Sequence, residues 1–173
     1  MNTLPPNQGL TLIDLLIVLA IVFITAGLGV PSLTSLLDDN RATNFTQQLS
    51  RQIVFSRHYA ANYGTGVTLC PLKGNKCVND WQQEISIFVD FNLNRQFGEQ
   101  DKLLSILDAP LKQDTLIYPR RGITFRADGA IHGFQSGTFR FCPRYKDSPY
   151  SQALVVNQAG RTRYRYEDID CMD

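Results

Sequence analysis

Hydrophobic residues divide the chain into one long helical segment and a later series of short strands. Between Leu10 and Leu37 the sole charged residue is Asp14, and residues 15–24 form an unbroken apolar run. This run is long enough, with its flanks, to cross a bilayer. Beyond it, small and apolar residues recur at three- and four-residue steps, which predicts that the helix continues to about Asn62. The recurring positions are Ala42, Phe45, Leu49, Ile53, Ser56 and Ala60.

The rest of the chain has the pattern of short β-strands. Segments rich in β-branched and aromatic residues alternate with Gly, Pro, Asn and Asp. This pattern predicts an α+β fold in which the long N-terminal helix packs on a small antiparallel β-sheet domain, built as one sheet or as two. We expect strands at Val67–Leu72, Glu84–Asp90, Thr115–Tyr118, Gly122–Arg126, Thr138–Cys142, Ala153–Asn157 and Thr162–Tyr166.

Charge is distributed unevenly along the 173 residues, whose formal net charge is +1. Residues 10–109 contain 7 Lys or Arg against 9 Asp or Glu, whereas residues 110–166 contain 10 against 3. Residues 167–173 then add four carboxylates. The second half of the chain is therefore basic and ends in an acidic tip, which indicates an anionic partner for the basic part.

Four cysteines, an even number behind a membrane-targeting segment, indicate disulfides and an oxidising compartment. Of the three possible pairings we favour Cys70 with Cys77, which closes a short loop, and Cys142 with Cys171, which ties down the C-terminus. Four reduced thiols are the alternative. A zinc site is disfavoured, because the chain has no CxxC pair and its two histidines lie far from the cysteines.

The N-terminal apolar segment has two ordinary explanations, and each leaves a feature unexplained. A secretory signal peptide has a basic start and a shorter apolar core, but no Lys or Arg precedes Arg41 here. A plain transmembrane anchor does not explain Asp14, since a carboxylate inside an apolar span costs about 3 kcal/mol.

Residues 9–20 read Gly-Leu-Thr-Leu-Ile-Asp-Leu-Leu-Ile-Val-Leu-Ala. They resemble the type IV pilin signature, whose usual form is GFTLIELLIVLAI; Leu10 stands in place of Phe and Asp14 in place of Glu. The resemblance implies that a prepilin peptidase cleaves after Gly9 and that the new amine of Leu10 is methylated. It also implies that Asp14 pairs with the N-terminal amine of a neighbouring subunit, and that Pro31 kinks the helix.

The same resemblance divides the chain into three parts. Residues 1–9 would be a cleaved leader, 10–37 the transmembrane and assembly helix, and 38–173 a periplasmic or extracellular domain that includes the C-terminal half of the helix. The protein would first be a single-pass protein of the inner membrane and then a subunit of a pilus at the cell surface. Arg41 favours a cytoplasmic domain under the positive-inside rule, but the pilin motif and the cysteines favour the outside.

Further motifs lie within the domain. Trp81 is followed by Ile87-Phe-Val-Asp-x-Asn-x-Asn94, by Ile123-Thr-Phe-x-x-Asp-Gly129, by Gly137-Thr-x-x-x-Cys142 and finally by Gly160-Arg-x-Arg163. Together they resemble the FimT/GspH group of minor pilins and pseudopilins. This resemblance implies other pilins of a filament as partners.

The strongest candidate site is the segment from Gly160 to Tyr166. If the segment is extended, Arg161, Arg163 and Arg165 point to one face at roughly 6.6 Å intervals, near twice the axial rise of about 3.4 Å per nucleotide of one DNA strand. Guanidinium groups bind phosphate through paired donors. The alternative is a solvated strand whose charges prevent edge pairing. The surrounding cations are Arg120, Arg121, Arg126, Arg140, Arg144 and Lys146, to which His132 could add.

The GRxR at Gly160–Arg163 matches one that is associated in FimT-like pilins with DNA binding during natural transformation. The resemblance thus implies DNA as a partner, held by its phosphates with little sequence preference. The alternative is a structural minor pilin, or a GspH-like pseudopilin of type II secretion, that initiates or caps a filament without binding DNA. The residues assigned to DNA binding are Gly160, Arg161, Arg163, Arg165, Arg144, Arg121 and Arg120.

Other chemistry has little support in the sequence. Residues 90–101 place oxygens at positions 1, 3, 5, 7 and 12 of a calcium-loop template, but Arg95 stands where such loops need glycine. We therefore expect a polar turn and no metal. Neither His58 nor His132 accompanies a recognisable nucleophile motif, and no phosphate-binding glycine loop occurs, so neither an enzyme nor a cofactor is predicted.

Overall fold

The structure is a computed structural model that describes residues 11–166 and 169–172, without the side chains of residues 27–32. The chain divides into two compact units, residues 1–37 and residues 38–173. The second unit contains every strand that the described residues form.

The first unit consists, as far as it is described, of the beginning of helix α1, which spans Leu12–Tyr63. Its apolar side chains from Leu12 to Ile24 are exposed. Over the residues described, no helix has both the length and the hydropathy needed to cross a membrane. The predicted cleavage site at Gly9 and Leu10 lies outside the described residues, and Pro31 is described by its backbone, which is helical.

Both ends of helix α1 have recognisable caps. The backbone N–H and the hydroxyl of Thr11 donate to the Asp14 carboxylate at 3.0 and 2.7 Å, and the N–H of Asp14 donates back to the Thr11 hydroxyl at 3.3 Å. This reciprocal arrangement is a capping box. At the other end Gly64 has a left-handed φ of 62°, and the N–H of Thr65 donates to the carbonyl of Ala60 at 3.1 Å. The helix therefore ends in a Schellman motif, close to the predicted position.

The second unit contains two antiparallel sheets. The first has the strand order β2-β1-β3-β4, and β6 also pairs with β1. The second has the order β5-β7-β8-β9, so that β9 lies at its edge. The strands are β1 Val67–Lys73, β2 Lys76–Cys77, β3 Ile85–Val89, β4 Lys102–Leu107, β5 Thr115–Ile117, β6 Ile123–Phe125, β7 Gly137–Cys142, β8 Gln152–Val156 and β9 Thr162–Arg165.

One face of helix α1 packs on these sheets, as its three- and four-residue pattern predicts. Ala42, Leu49, Ile53 and Ala60 are fully buried in the same core as residues of both sheets. Burial of such side chains is the main favourable contribution to folding. Aromatic contacts join the layers in two places, where Phe45 stacks on Phe141 with ring centroids 4.7 Å apart and Trp81 meets Tyr118 and Phe139 edge-on.

The predicted α+β class and all seven predicted strands are confirmed, with small changes at their ends. Two strands, β2 and β4, were not predicted. Strand β2 has two residues, which is too short to show a pattern. Strand β4 forms the edge of the first sheet, and its Leu103 and Ile106 side chains are exposed, so its sequence lacks the alternation of a half-buried strand.

Both favoured disulfides are present. Cys70 of β1 is bonded to Cys77 of β2, and Cys142 at the end of β7 is bonded to Cys171. The second bond closes a segment of 29 residues that includes β8 and β9. The N–H of Cys171 also donates to the carbonyl of Lys146 at 2.7 Å, which fixes the backbone after the arginine-rich strand.

Candidate nucleic-acid interface

Strand β9 presents its arginines to solvent. Its register pairs Val156 with Thr162, Leu154 with Tyr164 and Ala153 with Arg165. Because side chains alternate along a strand, residues 161, 163 and 165 share one face, and all three are exposed. Tyr164, on the other face, is half-buried and packs against the core. The predicted arginine face is therefore confirmed, whereas Tyr166, directly after β9, is 65% exposed.

The turn before β9 depends on Gly160. Its φ of 71° is left-handed, and an added Cβ would lie 2.8 Å from a ring carbon of Phe125 and 3.0 Å from the carbonyl oxygen of Gly129. The N–H of Arg161 donates to the Asn157 side chain at 2.9 Å. The glycine therefore has a conformational role, which is to let the chain turn closely over the core and start the arginine strand.

The outer face of the second sheet continues the basic surface away from β9. Arg140 on β7 and Arg165 on β9 both lie opposite Ala153 on β8, so they flank one small residue on the same face. Together with Arg120 they line a groove of about 770 Å³. Arg140 also forms an ion pair with Asp170 at 3.4 Å, so part of its charge is already compensated.

A second groove lies beside the first and shares Arg120 with it. Its volume is about 590 Å³, and it is also lined by Arg95, Arg121, His132 and Phe134. Arg95 was not among the predicted contacts, because it comes from the acidic half of the sequence and no other Lys or Arg lies close to it along the chain. Tertiary folding brings it to the basic surface. We call the exposed face of β9 and these two grooves the basic surface.

Besides Arg140, two more of the surrounding cations are used in ion pairs. The Arg126 guanidinium bonds to Asp128, and this hydrogen bond, with another from the N–H of Ala130, holds the pKa of the Asp128 carboxyl below its usual value. Arg144 donates to both carboxylate oxygens of Asp38 at 3.0 and 3.2 Å, and these bonds raise the pKa of its guanidinium. The structure therefore places Arg144 in an ion-pair cluster and not on the basic surface.

This cluster joins the helix to two loops of the second unit. Arg41 donates from Nε and Nη2 to the two oxygens of Asp114 at 3.2 and 3.0 Å, and from Nη2 to Asp38 at 2.8 Å. Asp114 also accepts the backbone N–H of Arg144 at 3.0 Å. Arg144 has a left-handed φ of 64°, a conformation that this hydrogen bond helps to hold. The Asp114 side chain is 2% exposed.

The loop at residues 90–101 uses its oxygens internally. The buried Asp90 carboxylate accepts the Thr68 hydroxyl at 2.7 Å and the N–H groups of Asn94 and Arg95 at 3.0 Å each. Asp101 accepts the N–H of Gly98 at 2.8 Å. Among the described residues, no group of three or more His, Cys, Asp or Glu is arranged to hold a metal ion.

Comparison with protein families identifies the family to which the chain belongs. A family model described as "Type II transport protein GspH" matches residues 46–160. The chain belongs to the GspH family. It is a GspH-like protein with the pilin fold. The matched segment ends at Gly160, so the arginines of β9 lie just beyond the part that defines the GspH family.

Solved pilin structures share the fold. The type IV minor pilin FimU of Pseudomonas aeruginosa PAO1 matches with a TM-score of 0.62 and 19% identity, over 77% of this chain and 96% of that chain. The minor pseudopilin EpsH from the Type 2 Secretion System of Vibrio cholerae matches with a TM-score of 0.51 and 12% identity, over 72% and 96%. No curated protein sequence matches the chain.

Proposed function

We propose that this protein is a minor type IV pilin that binds extracellular DNA through its basic surface, for uptake in natural transformation. The observation that supports this most directly is the outward face of residues 161–165, where Arg161 directly before β9 and Arg163 and Arg165 within it are all exposed. Among the described residues, no ion pair involves the side chain of Arg161 or Arg163. Exposed guanidinium groups at regular spacing are suited to a chain of phosphates.

The grooves beside β9 extend this surface. Arg120, Arg121 and Arg95 would attract and orient the DNA, because a concentration of one sign of charge raises the rate of encounter with a polyanion. Arg144 has no direct part in the proposal, because its guanidinium is bonded to Asp38.

The N-terminal segment would deliver the pilin to the filament. We propose cleavage after Gly9, methylation of Leu10, and insertion of residues 10–37 into the inner membrane as a single span before assembly. The domain would lie on the periplasmic side, where the disulfides Cys70–Cys77 and Cys142–Cys171 are stable.

A second candidate function is a pseudopilin of type II secretion that initiates or caps a filament without binding DNA. The family match favours it, because the matched model is a type II transport protein and its range stops before Arg161. The two candidates differ in one measurable property, since a capping subunit has no use for a face of exposed arginines.

The test is the salt dependence of DNA affinity. We expect the full chain, purified in a nonionic detergent, to bind a duplex of mixed sequence with an affinity whose logarithm falls linearly with the logarithm of salt concentration. Two phosphate contacts, by Arg161 and Arg163, correspond to a slope of about −2, and further contacts by Arg165 and the grooves would make it steeper. Sequences of different composition should bind almost equally. A chain that binds no DNA at low salt supports the capping pseudopilin.

A separate prediction concerns Asp14, which caps its own helix in the described structure. If its charge pairs with the N-terminal amine of a neighbouring subunit, Asp14→Asn and Asp14→Ala should both reduce incorporation into filaments, while cleavage of the leader continues. Asparagine retains an acceptor for the cap and removes the charge. Normal incorporation of Asp14→Asn, measured by immunoblotting of sheared filaments, would limit Asp14 to the capping role.

A further inference from the structure

The side chain of Phe134 is exposed to an unusual degree. It is 92% exposed, the highest value among the large hydrophobic side chains described. It lies between β6 and β7, directly after Gly133, whose φ of 64° turns the chain outward. An isolated exposed apolar residue is common on protein surfaces, so exposure by itself indicates nothing.

The backbone on both sides of Phe134 is held in place. Before it, the N–H of His132 donates to the carbonyl of Thr124 at 2.7 Å, and the Gln158 amide donates to the carbonyl of Gly133 at 2.5 Å. After it, Gln135 is buried, its side-chain oxygen accepts the N–H of Thr124 at 2.6 Å, and its carbonyl accepts the Tyr118 hydroxyl at 2.5 Å. These hydrogen bonds fix the backbone on both sides of Phe134, and with it the direction in which the side chain leaves the chain.

The surroundings of Phe134 are cationic. It lines the groove of about 590 Å³ together with Arg95, Arg120, Arg121 and His132. A rigid aromatic ring among groups that bind phosphate is the combination that binds single-stranded nucleic acid, because the ring stacks on a base while the cations hold the backbone. A double helix does not offer this contact, since its base faces are already stacked.

We propose that Phe134 is a stacking platform for an unpaired base, and that the basic surface therefore binds a single-stranded segment of DNA in preference to a duplex. This proposal rests on the DNA binding proposed above. Beyond that function, it specifies that the bound DNA is single-stranded and that Phe134, outside the arginine strand, contacts it. The groove arginines hold the phosphates on either side of the stacked base, and Arg161 and Arg163 hold the strand farther along.

The experiment compares a labelled oligothymidine strand with an oligothymidine–oligoadenine duplex of equal length, using the full chain in a nonionic detergent and fluorescence anisotropy. Phe134→Ala should weaken binding of the single strand by at least about fivefold, which is about 1 kcal/mol, and leave binding of the duplex nearly unchanged. Phe91→Ala is the matched control. Phe91 is also an exposed ring, 62% exposed, but it lies in the loop with Glu99 and Asp101, and its loss should affect neither ligand.

A gain-of-signal variant tests the stacking contact directly. Phe134→Trp keeps an aromatic face and should preserve the affinity for the single strand. Its fluorescence should be quenched by oligothymidine and not by inorganic polyphosphate, which occupies the cations without offering a base. Trp81 is 3% exposed but lines the groove of about 770 Å³, so its response to each ligand is measured in the parent protein and subtracted.

The outcomes separate this proposal from the proposed function. If the parent protein binds DNA through Arg161 and Arg163 but Phe134→Ala keeps its full affinity for the single strand, the stacking role is wrong and DNA binding stands. If Phe134→Ala instead lowers incorporation into filaments, the ring contacts another subunit. If the parent protein binds neither ligand, the proposed function fails and the stacking role fails with it.

Discussion

The double variant Arg161→Gln, Arg163→Gln is expected to lose detectable DNA binding. Each arginine is exposed on the outer face of the β9 segment and would donate to a phosphate. Hydrogen bonds to charged groups contribute about 1.5–3 kcal/mol each, so the loss of two should lower the affinity by about a hundredfold or more. At low salt, where residual binding can be measured, the slope against log salt should decrease by about two units.

The fold of this variant should be intact, because exposed surface charges contribute little to stability. Glutamine also keeps most of the aliphatic length that lies along the sheet. The matched control is Arg51→Gln, Lys73→Gln, which removes two exposed cations elsewhere in the second unit and leaves β9 unchanged. If both double variants lose the same amount of DNA affinity relative to the parent, net charge and not the β9 face determines the interaction. If the Arg161, Arg163 variant binds as the parent does, the strand is only a solvated edge.

The variant Asp114→Ala is expected to give the largest loss of stability. Asp114 is almost completely buried, accepts three hydrogen bonds from Arg41 and Arg144, and joins helix α1 to the loop after β7. Removing one member of a buried ion pair typically costs about 3–5 kcal/mol. Arg41 keeps Asp38 as a partner, so we expect a loss of about 3 kcal/mol, at the lower end of that range. For a unit of this size the melting temperature should fall by roughly 10 °C or more.

The matched control for Asp114→Ala is a variant of the exposed ion pair between Arg126 and Asp128. Asp128→Ala removes a carboxylate with the same kind of partner but in open solvent, and its melting temperature should be close to that of the parent. Circular dichroism during heating measures both variants. Equal melting temperatures for Asp114→Ala and the parent would show that the cluster of Asp38, Arg41, Asp114 and Arg144 contributes nothing to the cohesion of the unit.

The cluster also shows what the sequence could not indicate about Arg144, which is its ion pair with Asp38. In the sequence it is one of ten cations in a basic segment, and nothing local distinguishes it from Arg120 or Arg121. Its partner Asp38 is more than a hundred residues earlier in the chain, as is shown by the separation of 106 in their hydrogen bond. A long-range pair of this kind is set by folding of the helix onto the sheets, and no local pattern contains it.

The sequence by itself determined the features that depend on period and local chemistry. Arginines at every second residue from 161 to 165 predicted that these side chains share one face, because side chains of a strand point alternately to opposite sides. Apolar residues at three- and four-residue steps predicted the buried face of helix α1. The spacing of the four cysteines favoured the disulfides that are present.

Only the tertiary structure decided which distant residues meet. It brought Arg95 from the acidic half of the chain into the groove with Arg120 and Arg121, and fixed the backbone around Phe134 through hydrogen bonds from three separate segments. It also placed Arg144 in an ion pair with Asp38. The physical reason is that the spacing of a residue along its helix or strand specifies the face on which its side chain lies. Which other element packs against that face depends on the packing of the whole core.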